Sequence, residues 1–290
     1  MTGELERPEG WGDLHQIRGL FDQGLRRLVS KDVRYTIRAG RGGLDETAAL
    51  FTGEADIAVV TPAAALRLLY RFGDLKGLFA LGVIPRRGSL VVAADATLGL
   101  DAVADLATHS ARITVATCAD DGVSLVGFAV HRALRMAGVG GGDVDFVYDE
   151  HPAARYASGA ADVVIHDPMA TPDWRAVVAE RQVRYLPWGD RVLHGFAAQG
   201  WLPRIARAGQ LPPLIDDLPA LDCSDFAVLC RADLDEGLAR LTARYLARGC
   251  CPAEAAAVAR TPLPLHPGAA RAYAELVADE AVADVSLGSR

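Results

Sequence analysis

The stretch from residue 33 to residue 65 reads VRYTIRAGRGGLDETAALFTGEADIAVVTPAAA, and it carries the clearest structural pattern in the chain. A strand pattern at 33–39 is followed by a glycine-rich turn and by a helix pattern near 44–52. Residues 57–60 then form a short run that is apolar at every position, as is typical of a central parallel strand. Thr61 and the proline after it predict the cap and the first turn of the next helix. Strand, turn, helix and strand in this order indicate an α/β protein.

The same alternation continues towards the C-terminus. Further strands are predicted at 77–84, 89–94, 112–117, 144–148, 162–166, 183–187 and 226–230. Helices are predicted at 101–107, 122–138, 150–158, 171–181 and 190–199, and over most of 233–285. Strands that alternate with helices predict mixed, mostly parallel sheets with helices on both faces. The proline-rich part at 202–219 is interpreted as irregular chain that wraps the surface.

Composition excludes several classes of protein. The chain has 290 residues, of which 51% are hydrophobic and 23% charged, a mixture typical of globular proteins with a sizeable core. The net charge is −7 and basic residues do not cluster, which argues against nucleic-acid binding because phosphate contacts need a concentrated positive face. No stretch approaches the roughly 20 apolar residues that span a bilayer, so no direct membrane insertion is expected.

The first residues and the cysteines bear on compartment and on metals. The chain begins MTGELERPEGWGDLHQ, which has neither a positive region nor an apolar core, so we predict a cytoplasmic protein, or an exported one whose leader was removed. The five cysteines form no C-x-x-C pair, and no histidines lie at zinc-site spacing from them. Their odd number favours a reducing compartment. We therefore expect no metal and no cofactor.

Four later blocks, together with 33–65, resemble one family in that family's order. They are LGVIPRRGSLVVAADATLGLDAVADLATHSARITVAT at 81–117, DVDFVYDEHPAARYASGAADVVIHDP at 143–168, LDCSDFAVLCRADLDEGLARLTARYL at 221–246 and PLPLHPGAARAYAE at 262–275. The last block, with its L-H-P-G box, is the sharpest signature. On these residues the chain resembles the TAXI-type solute receptors of TRAP transporters, within the type II periplasmic-binding-protein superfamily.

The resemblance implies a two-lobed fold with a ligand cleft between the lobes. One lobe would hold 1–93 plus 188–290 and the other 94–187. The chain would cross near Ala93 and near Trp188-Gly189, and bending there would close the cleft. The implied ligand is a small carboxylate or an amino acid. A transporter membrane subunit would be a partner only if the protein is exported.

Two departures from the family concern the first lobe. The family's first strand, with its own glycine-rich turn, is hard to find in the polar N-terminal residues. The turn that reads T-G-G-S in the family is Gly40-Arg41-Gly42-Gly43 here, so the hydroxyl that contacts ligand is missing and an arginine is present. Glycines let backbone approach a ligand closely, and Arg41 could clamp a carboxylate. A tight turn with a solvated arginine is the other interpretation.

Two more strand-to-helix junctions offer ligand groups, since helix N-termini carry free N–H groups and favour anions. Thr61 could present its hydroxyl to a ligand or simply cap a helix. The other junction is Cys118-Ala119-Asp120-Asp121-Gly122, where matching family turns hold the ligand. Asp120 and Asp121 would favour an amine on the ligand, although aspartate is also an ordinary cap at a helix start. An arginine and an aspartate together would suit a zwitterion.

Histidines and aromatic residues complete the candidate set. His166 follows a predicted strand and could donate to a carboxylate or act as an acid or base, and a structural role at a strand end is equally open. Trp174 could form an apolar wall or pack in the core, and Tyr148 is a further candidate at a strand end. His266, in the L-H-P-G box, is interpreted as a structural residue that ties the C-terminal helix to the first lobe.

These residues predict the binding of a small carboxylate-bearing ligand by hinge closure. The alternative is a cytoplasmic biosynthetic enzyme of lyase or dehydratase type, with His166, Asp120, Asp121 and Cys118 as its available acid, base or nucleophilic groups. A third possibility is a sensor or carrier that passes closure on to a partner. Nucleotide-binding and hydrolase motifs are absent from the sequence.

Overall fold

A computed structural model describes residues 43–72, 75–149, 151–167, 172–257 and 263–287. The predicted strand at 33–39 and the candidates Gly40, Arg41 and Gly42 lie outside these residues. Nine α-helices occur in the described part: α1 Gly43–Thr52, α2 Leu66–Phe72, α3 Leu125–Ala137, α4 Pro152–Ala157, α5 Pro172–Glu180, α6 Asp190–Ala197, α7 Glu236–Gly249, α8 Pro252–Ala255 and α9 Pro267–Leu287. Short 3-10 turns at Ala63–Ala65, Ala96–Leu98 and Val103–Ala107 connect some of them.

Ten strands in the same residues form two sheets. They are β1 Ile57–Val60, β2 Leu78–Ile84, β3 Ser89–Asp95, β4 Ile113–Thr117, β5 Val144–Tyr148, β6 Val163–His166, β7 Val183–Leu186, β8 Pro203–Ala206, β9 Leu218–Asp222 and β10 Phe226–Arg231. The first sheet has the order β1-β10-β2, and the second has the order β5-β4-β6-β3-β9-β8, with β7 also paired to β3. Most predicted strands agree with these bounds because short apolar runs between polar turns are strong strand signals.

The expectation of mostly parallel sheets is wrong for the strands described. Only the pairs β4–β5 and β4–β6 are parallel, whereas the pairs within the first sheet, around β3 and between β8 and β9 are antiparallel. Alternation of strands and helices predicts parallel neighbours when each strand pairs with the next one along the chain. Here β10 inserts between β1 and β2, and β3 runs against β6, β7 and β9, so the long-range pairing reverses the direction.

The region 202–219 also differs from the prediction, because β8 and the start of β9 lie in it. The two strands pair antiparallel, with Arg204 opposite Ala220 and Ala206 opposite Leu218. Prolines at both strand starts and a mostly exposed β8 hide the strand pattern in the sequence. β8 ends the second sheet, and edge strands tolerate proline because their outer N–H groups need no ladder partner.

The chain changes sheet at two short segments. Residues 85–88 lead from β2 in the first sheet to β3 in the second, and 223–225 lead from β9 back to β10. These segments are hydrogen-bonded to each other, with Cys223 N donating to Gly88 O at 3.1 Å and Asp225 N to Arg86 O at 3.0 Å. The lobe bounds 1–93 plus 188–290 and 94–187 stay a prediction.

Helices cover both faces of both sheets. One large apolar cluster joins the sheets and includes residues of α2, α3 and α6, such as Leu66, Val130 and Phe196. A second cluster packs α7 and α9 on the other face of the first sheet. A third packs Trp174 of α5 and Tyr156 of α4 on the other face of the second sheet. Within the described ranges, no helix is both long and apolar enough to cross a membrane.

The L-H-P-G box is structural, as predicted. His266 is 4% exposed, and its N–H donates to Ala80 O in β2 at 2.9 Å. About two turns later, on α9, the Tyr273 hydroxyl donates to Leu81 O in the same strand at 2.8 Å. Gly268 lies directly against the Glu236 carbonyl at the start of α7, where a side chain would collide. The box therefore fixes α9 on the first sheet and on α7.

Candidate functional site

Three parallel strands end at one edge of the second sheet. Thr117 of β4 is in register with Tyr148 of β5, and Ala116 is in register with Val164 of β6. The Thr117 hydroxyl donates to Ile165 O at 3.3 Å, which ties the last residues of β4 and β6 together. Tyr148, Cys118 and His166 therefore lie at the same carboxyl edge, the location at which open α/β sheets bind ligands.

The sheet places these candidates on opposite faces. Side chains alternate along a strand, so Tyr148 shares its face with Phe146. The two rings stack at 5.7 Å between centroids, and His131 of α3 packs against both at 4.8 and 5.6 Å. His166 lies on the other face, next to Trp174 at 4.6 Å. Tyr148 and His166 thus lie at the same sheet edge on either side of β4, and they belong to separate aromatic groups.

His166 is held as an uncharged imidazole. The residue is half-buried, but its Nε2 atom is fully removed from solvent and has no hydrogen-bond partner among the described residues. Burial lowers the pKa of His166 to about 3, because the imidazolium form would lose its hydration without gaining a partner. At neutral pH the ring can accept or donate one hydrogen bond without carrying charge.

Trp174 packs in the core and also contacts His166. It is 2% exposed, and its Nε1 donates to the Tyr185 hydroxyl at 2.8 Å, which in turn donates to Pro212 O at 2.9 Å. The indole is therefore held by a chain of hydrogen bonds. The indole provides a fixed apolar surface beside His166. Trp174 also packs in the core, which is the other role predicted for it.

The turn before α3 presents its two aspartates to solvent. Asp120, Asp121 and Gly122 are all exposed, and Cys118 at the start of the turn is half-buried. Asp121 accepts hydrogen bonds from Val123 N at 2.9 Å and from Ser124 N at 3.1 Å, so its carboxylate stabilises the turn that leads into α3. Ser124 then caps α3 by accepting from Gly127 N at 3.0 Å.

The negative charge of Asp120 acts on His131, which packs against Tyr148. Burial lowers the pKa of His131, and the negative charge of Asp120 opposes that change. The Nε2 atom of His131 is itself buried without a partner among the described residues. This side of the sheet edge therefore combines two aromatic rings, a half-buried imidazole and one exposed carboxylate.

The start of α1 and the end of β1 meet the turn before α3. Leu44 N at the start of α1 donates to Val123 O at 3.2 Å, so this N–H is already used. Gly43 is buried, and a side chain there would overlap Leu125 and come within 3.3 Å of Val60 Cγ1. Thr61 directly follows Val60 and is half-buried. The structure thus brings Gly43, the residue before Thr61 and the turn at 118–124 together.

An ion pair at the segments between the sheets was missed by the sequence analysis. Asp167, the residue after His166, accepts from the Arg86 guanidinium and from Ser89 N at 2.9 Å. The two side chains are only 13% and 11% exposed. Burial raises the pKa of Asp167, and the charge of Arg86 opposes this rise. The signal available in the sequence was an aspartate after a buried strand, but its partner lies 81 residues away.

Ser224 joins the two segments more closely. Its hydroxyl accepts from Gly88 N and donates to Gly88 O, both at 3.2 Å, and it also accepts from Arg204 at 2.8 Å. A small cavity of about 70 Å³ opens beside it, lined by Arg67, Val83, Leu202, Asp222 and Asp225 among others. None of the predicted ligand residues lines this cavity. In the described part of the chain, no group of three or more potential metal ligands occurs.

Comparison with known proteins gives structural likenesses only. No family model and no curated protein sequence matches the chain. The alkanesulfonate-binding protein SsuA from Xanthomonas axonopodis pv. citri, bound to MOPS, is 16% identical with a TM-score of 0.43, covering 89% of this chain and 78% of that one. A Xanthomonas citri protein bound to ATP is 14% identical with a TM-score of 0.48, covering 91% of both chains.

A third likeness is to the ATP phosphoribosyl transferase complex from Thermotoga maritima, at 11% identity and a TM-score of 0.43, covering 81% of this chain and 92% of that one. None of the three shares enough sequence for its ligand or activity to be transferred. The predicted α/β class, with helices on both faces of mixed sheets, is confirmed.

Proposed function

We propose that the chain binds a small carboxylate-bearing ligand in a cleft between its lobes, as a solute-binding protein similar to the TAXI-type receptors. The observation that carries this proposal is the convergence of strand and helix ends. The ends of β4, β5 and β6, the start of α1 and the end of β1 come together around the turn at 118–124. A ligand at such a place meets N–H groups, hydroxyls and aromatic rings from both parts of the chain.

The lobes and the compartment complete this proposal. The lobes are 1–93 plus 188–290 and 94–187, and bending between them closes the cleft. The Arg86–Asp167 pair joins one residue of each proposed lobe, so it supports the hinge. The compartment is cytoplasmic, or external if a leader is removed, and a transporter membrane subunit is the partner only in the second case.

The proposed ligand is an amino acid or a related zwitterion. An arginine in the turn at 40–43 would hold its carboxylate, as predicted from the sequence, and Asp120 would hold its amine. Asp120 suits this role because it is exposed and makes no cap, whereas Asp121 already accepts two backbone N–H groups. Tyr148 and Phe146 would cover the apolar part of the ligand.

Thermal shift tests the proposal on the full chain against a panel of amino acids, keto acids and simple carboxylates. A ligand at about 100 times its Kd adds roughly 2.7 kcal/mol to the free energy of unfolding. For a chain of this size we expect the midpoint to rise by several degrees. If no member of the panel raises the midpoint, a free small carboxylate is not the ligand.

Matched variants test the role of Asp120. Asp120→Asn should abolish any preference for an amino acid over the corresponding acid without an amino group. Asp216→Asn removes the same charge from an exposed residue in the loop between β8 and β9 and should leave that preference unchanged. Equal binding of acids with and without an amino group by the unaltered chain would refute the zwitterion hypothesis.

Catalysis in the same cleft is the second candidate, and His166 is the observation that favours it. An uncharged imidazole with an unpartnered Nε2 at a strand end is suited to form a hydrogen bond with a reacting group of a bound substrate. A ligand that stabilises the protein and is then consumed on long incubation would support an enzyme. A ligand that is recovered unaltered would support binding alone.

A further inference from the structure

A second cavity lies on the helical side of the first sheet, away from the strand ends. It has a volume of about 340 Å³ and is formed by the last turns of α7, the start of α8 and the middle of α9. Its lining residues are Arg244, Ala247, Arg248, Cys250, Pro252 and Leu276. Ligand sites in proteins begin at about 300 Å³, so this volume is sufficient for a small organic molecule. No role in the proposed function involves these residues.

The charged part of the lining is entirely basic. Arg244 and Arg248 are one helical turn apart on α7, an arrangement in which like charges repel each other. Arg244 reaches Glu275 only at 3.4 Å, because Arg240 already holds that carboxylate with contacts of 2.7 and 2.9 Å. Arg248 forms no ion pair with any residue that the structure describes. Two guanidinium groups thus border the cavity with little neutralisation.

The guanidinium of Arg244 also retains unused hydrogen-bonding capacity. Its Nε–H is buried and has no acceptor within the described ranges. Other described carboxylates on these helices are Glu236 on α7, Glu254 on α8 and Asp279 on α9, and none of them lines the cavity. The side chains of Glu280 and Asp284, farther along α9, lie outside the described part. An acceptor that enters from solvent would complete the hydrogen bonds of the basic wall and remove the repulsion between the two arginines.

The remaining lining is apolar and includes a thiol. Ala247, Pro252 and Leu276 offer no charge and no hydrogen-bond donor. Cys250 is half-buried, and its thiol donates to Leu246 O at 3.2 Å, so it closes the end of α7. A ligand that fits both parts of the cavity has an anionic head for the arginines and an apolar body for the opposite wall.

We propose that this cavity is a second ligand site, which binds a small organic anion with a carboxylate head and a short apolar chain. Arg244 and Arg248 hold the head, and Ala247, Pro252 and Leu276 cover the chain. The site is independent of the cleft at the ends of β4, β5 and β6, so either proposal can fail without the other.

Cys250 provides a reporter inside the cavity. The full chain is alkylated with iodoacetamide, and the labelling rate of each cysteine is followed by mass spectrometry of peptides. Hexanoate is the probe, hexanol is its uncharged counterpart, and inorganic phosphate is an anion without an apolar body. Cys251, which is exposed, is the reference in the same molecule because it does not line the cavity.

Hexanoate at about ten times its Kd should slow the labelling of Cys250 about tenfold and leave the labelling of Cys251 unchanged. Hexanol should protect much less, because it does not pair with guanidinium. The proposal is overturned if hexanoate gives no selective protection of Cys250 up to its solubility limit. It is also overturned if phosphate protects as well as hexanoate, since the apolar wall then contributes nothing.

Two charge-removing variants complete the test. Arg248→Gln removes an exposed guanidinium without breaking an ion pair in the described residues, so the fold should be retained. The hexanoate concentration that gives half-maximal protection of Cys250 should rise roughly tenfold, because one hydrogen bond to a charged group is lost. Arg135→Gln, at an exposed position near the end of α3, is the control and should protect as the unaltered chain does. Equal protection in both variants would contradict the role of the arginines.

Discussion

Replacement of His166 by phenylalanine should make the protein less sensitive to acid. The histidine has a pKa of about 3 in the folded chain against an ordinary value of 6.5, so the unfolded chain binds a proton that the folded chain excludes. Stability contributed by the uncharged ring is therefore complete above pH 6.5 and is lost as the pH falls. At pH 5, one and a half pH units below the ordinary value, the loss is about 2 kcal/mol.

Phenylalanine suits this position because it keeps a ring beside Trp174, at 4.6 Å in the original structure, and has no nitrogen that needs a partner. The assay is urea unfolding of both proteins at several pH values between 5 and 8. At pH 8 the two free energies of unfolding should be similar. Between pH 8 and pH 5, the free energy of unfolding of the variant should rise by about 2 kcal/mol relative to that of the original chain.

His194→Gln is the control, because His194 is exposed on α6. Its pH dependence should follow that of the original chain. His131 keeps some acid sensitivity in all three proteins, since burial lowers its pKa as well. Parallel pH curves for the original chain and for His166→Phe would refute the reasoning, because they would mean that a proton reaches His166 in the folded state as easily as in the unfolded one.

Two further predictions concern buried polar groups. Asp167→Asn should lower the free energy of unfolding by about 3 kcal/mol because the Arg86 charge stays buried, and Arg86→Met in the same chain should recover most of the loss; equal loss in the double variant would contradict this. Tyr185→Phe should cost roughly 1–3 kcal/mol because two hydrogen bonds are lost, whereas Tyr156→Phe should cost nothing because its buried hydroxyl has no described partner. Urea unfolding measures both pairs, and similar losses for the two tyrosines would refute the second prediction.

Local apolar patterns were sufficient for most individual elements. The runs at 57–60, 144–148 and 226–230 are predicted as strands because neighbouring residues along the chain carry the whole signal, and the structure places strands there. The pair β8 and β9 was missed because its strand character depends on partners: β9 is held between β8 and β3, and neither contact is visible in the local sequence.

The candidate site divides in the same way. Tyr148 and His166 were predictable as strand-end residues, since each follows an apolar run, but their opposite faces depend on the register of β4 with both neighbours. Asp120 and Asp121 look equivalent in the sequence. Only the folded turn distinguishes them, because the Asp121 carboxylate accepts two N–H groups and the Asp120 carboxylate lies in solvent.

By itself, the sequence determined the α/β class, most strands and helices, and the structural role of His266, because each depends on spacing between near neighbours or on one compact motif. The tertiary structure alone decided that β10 lies between β1 and β2, that Asp167 pairs with Arg86, and that two arginines on α7 border a cavity. These features join residues far apart in the chain. Strand order and ion pairing depend on how the whole chain packs, and no local pattern encodes that packing.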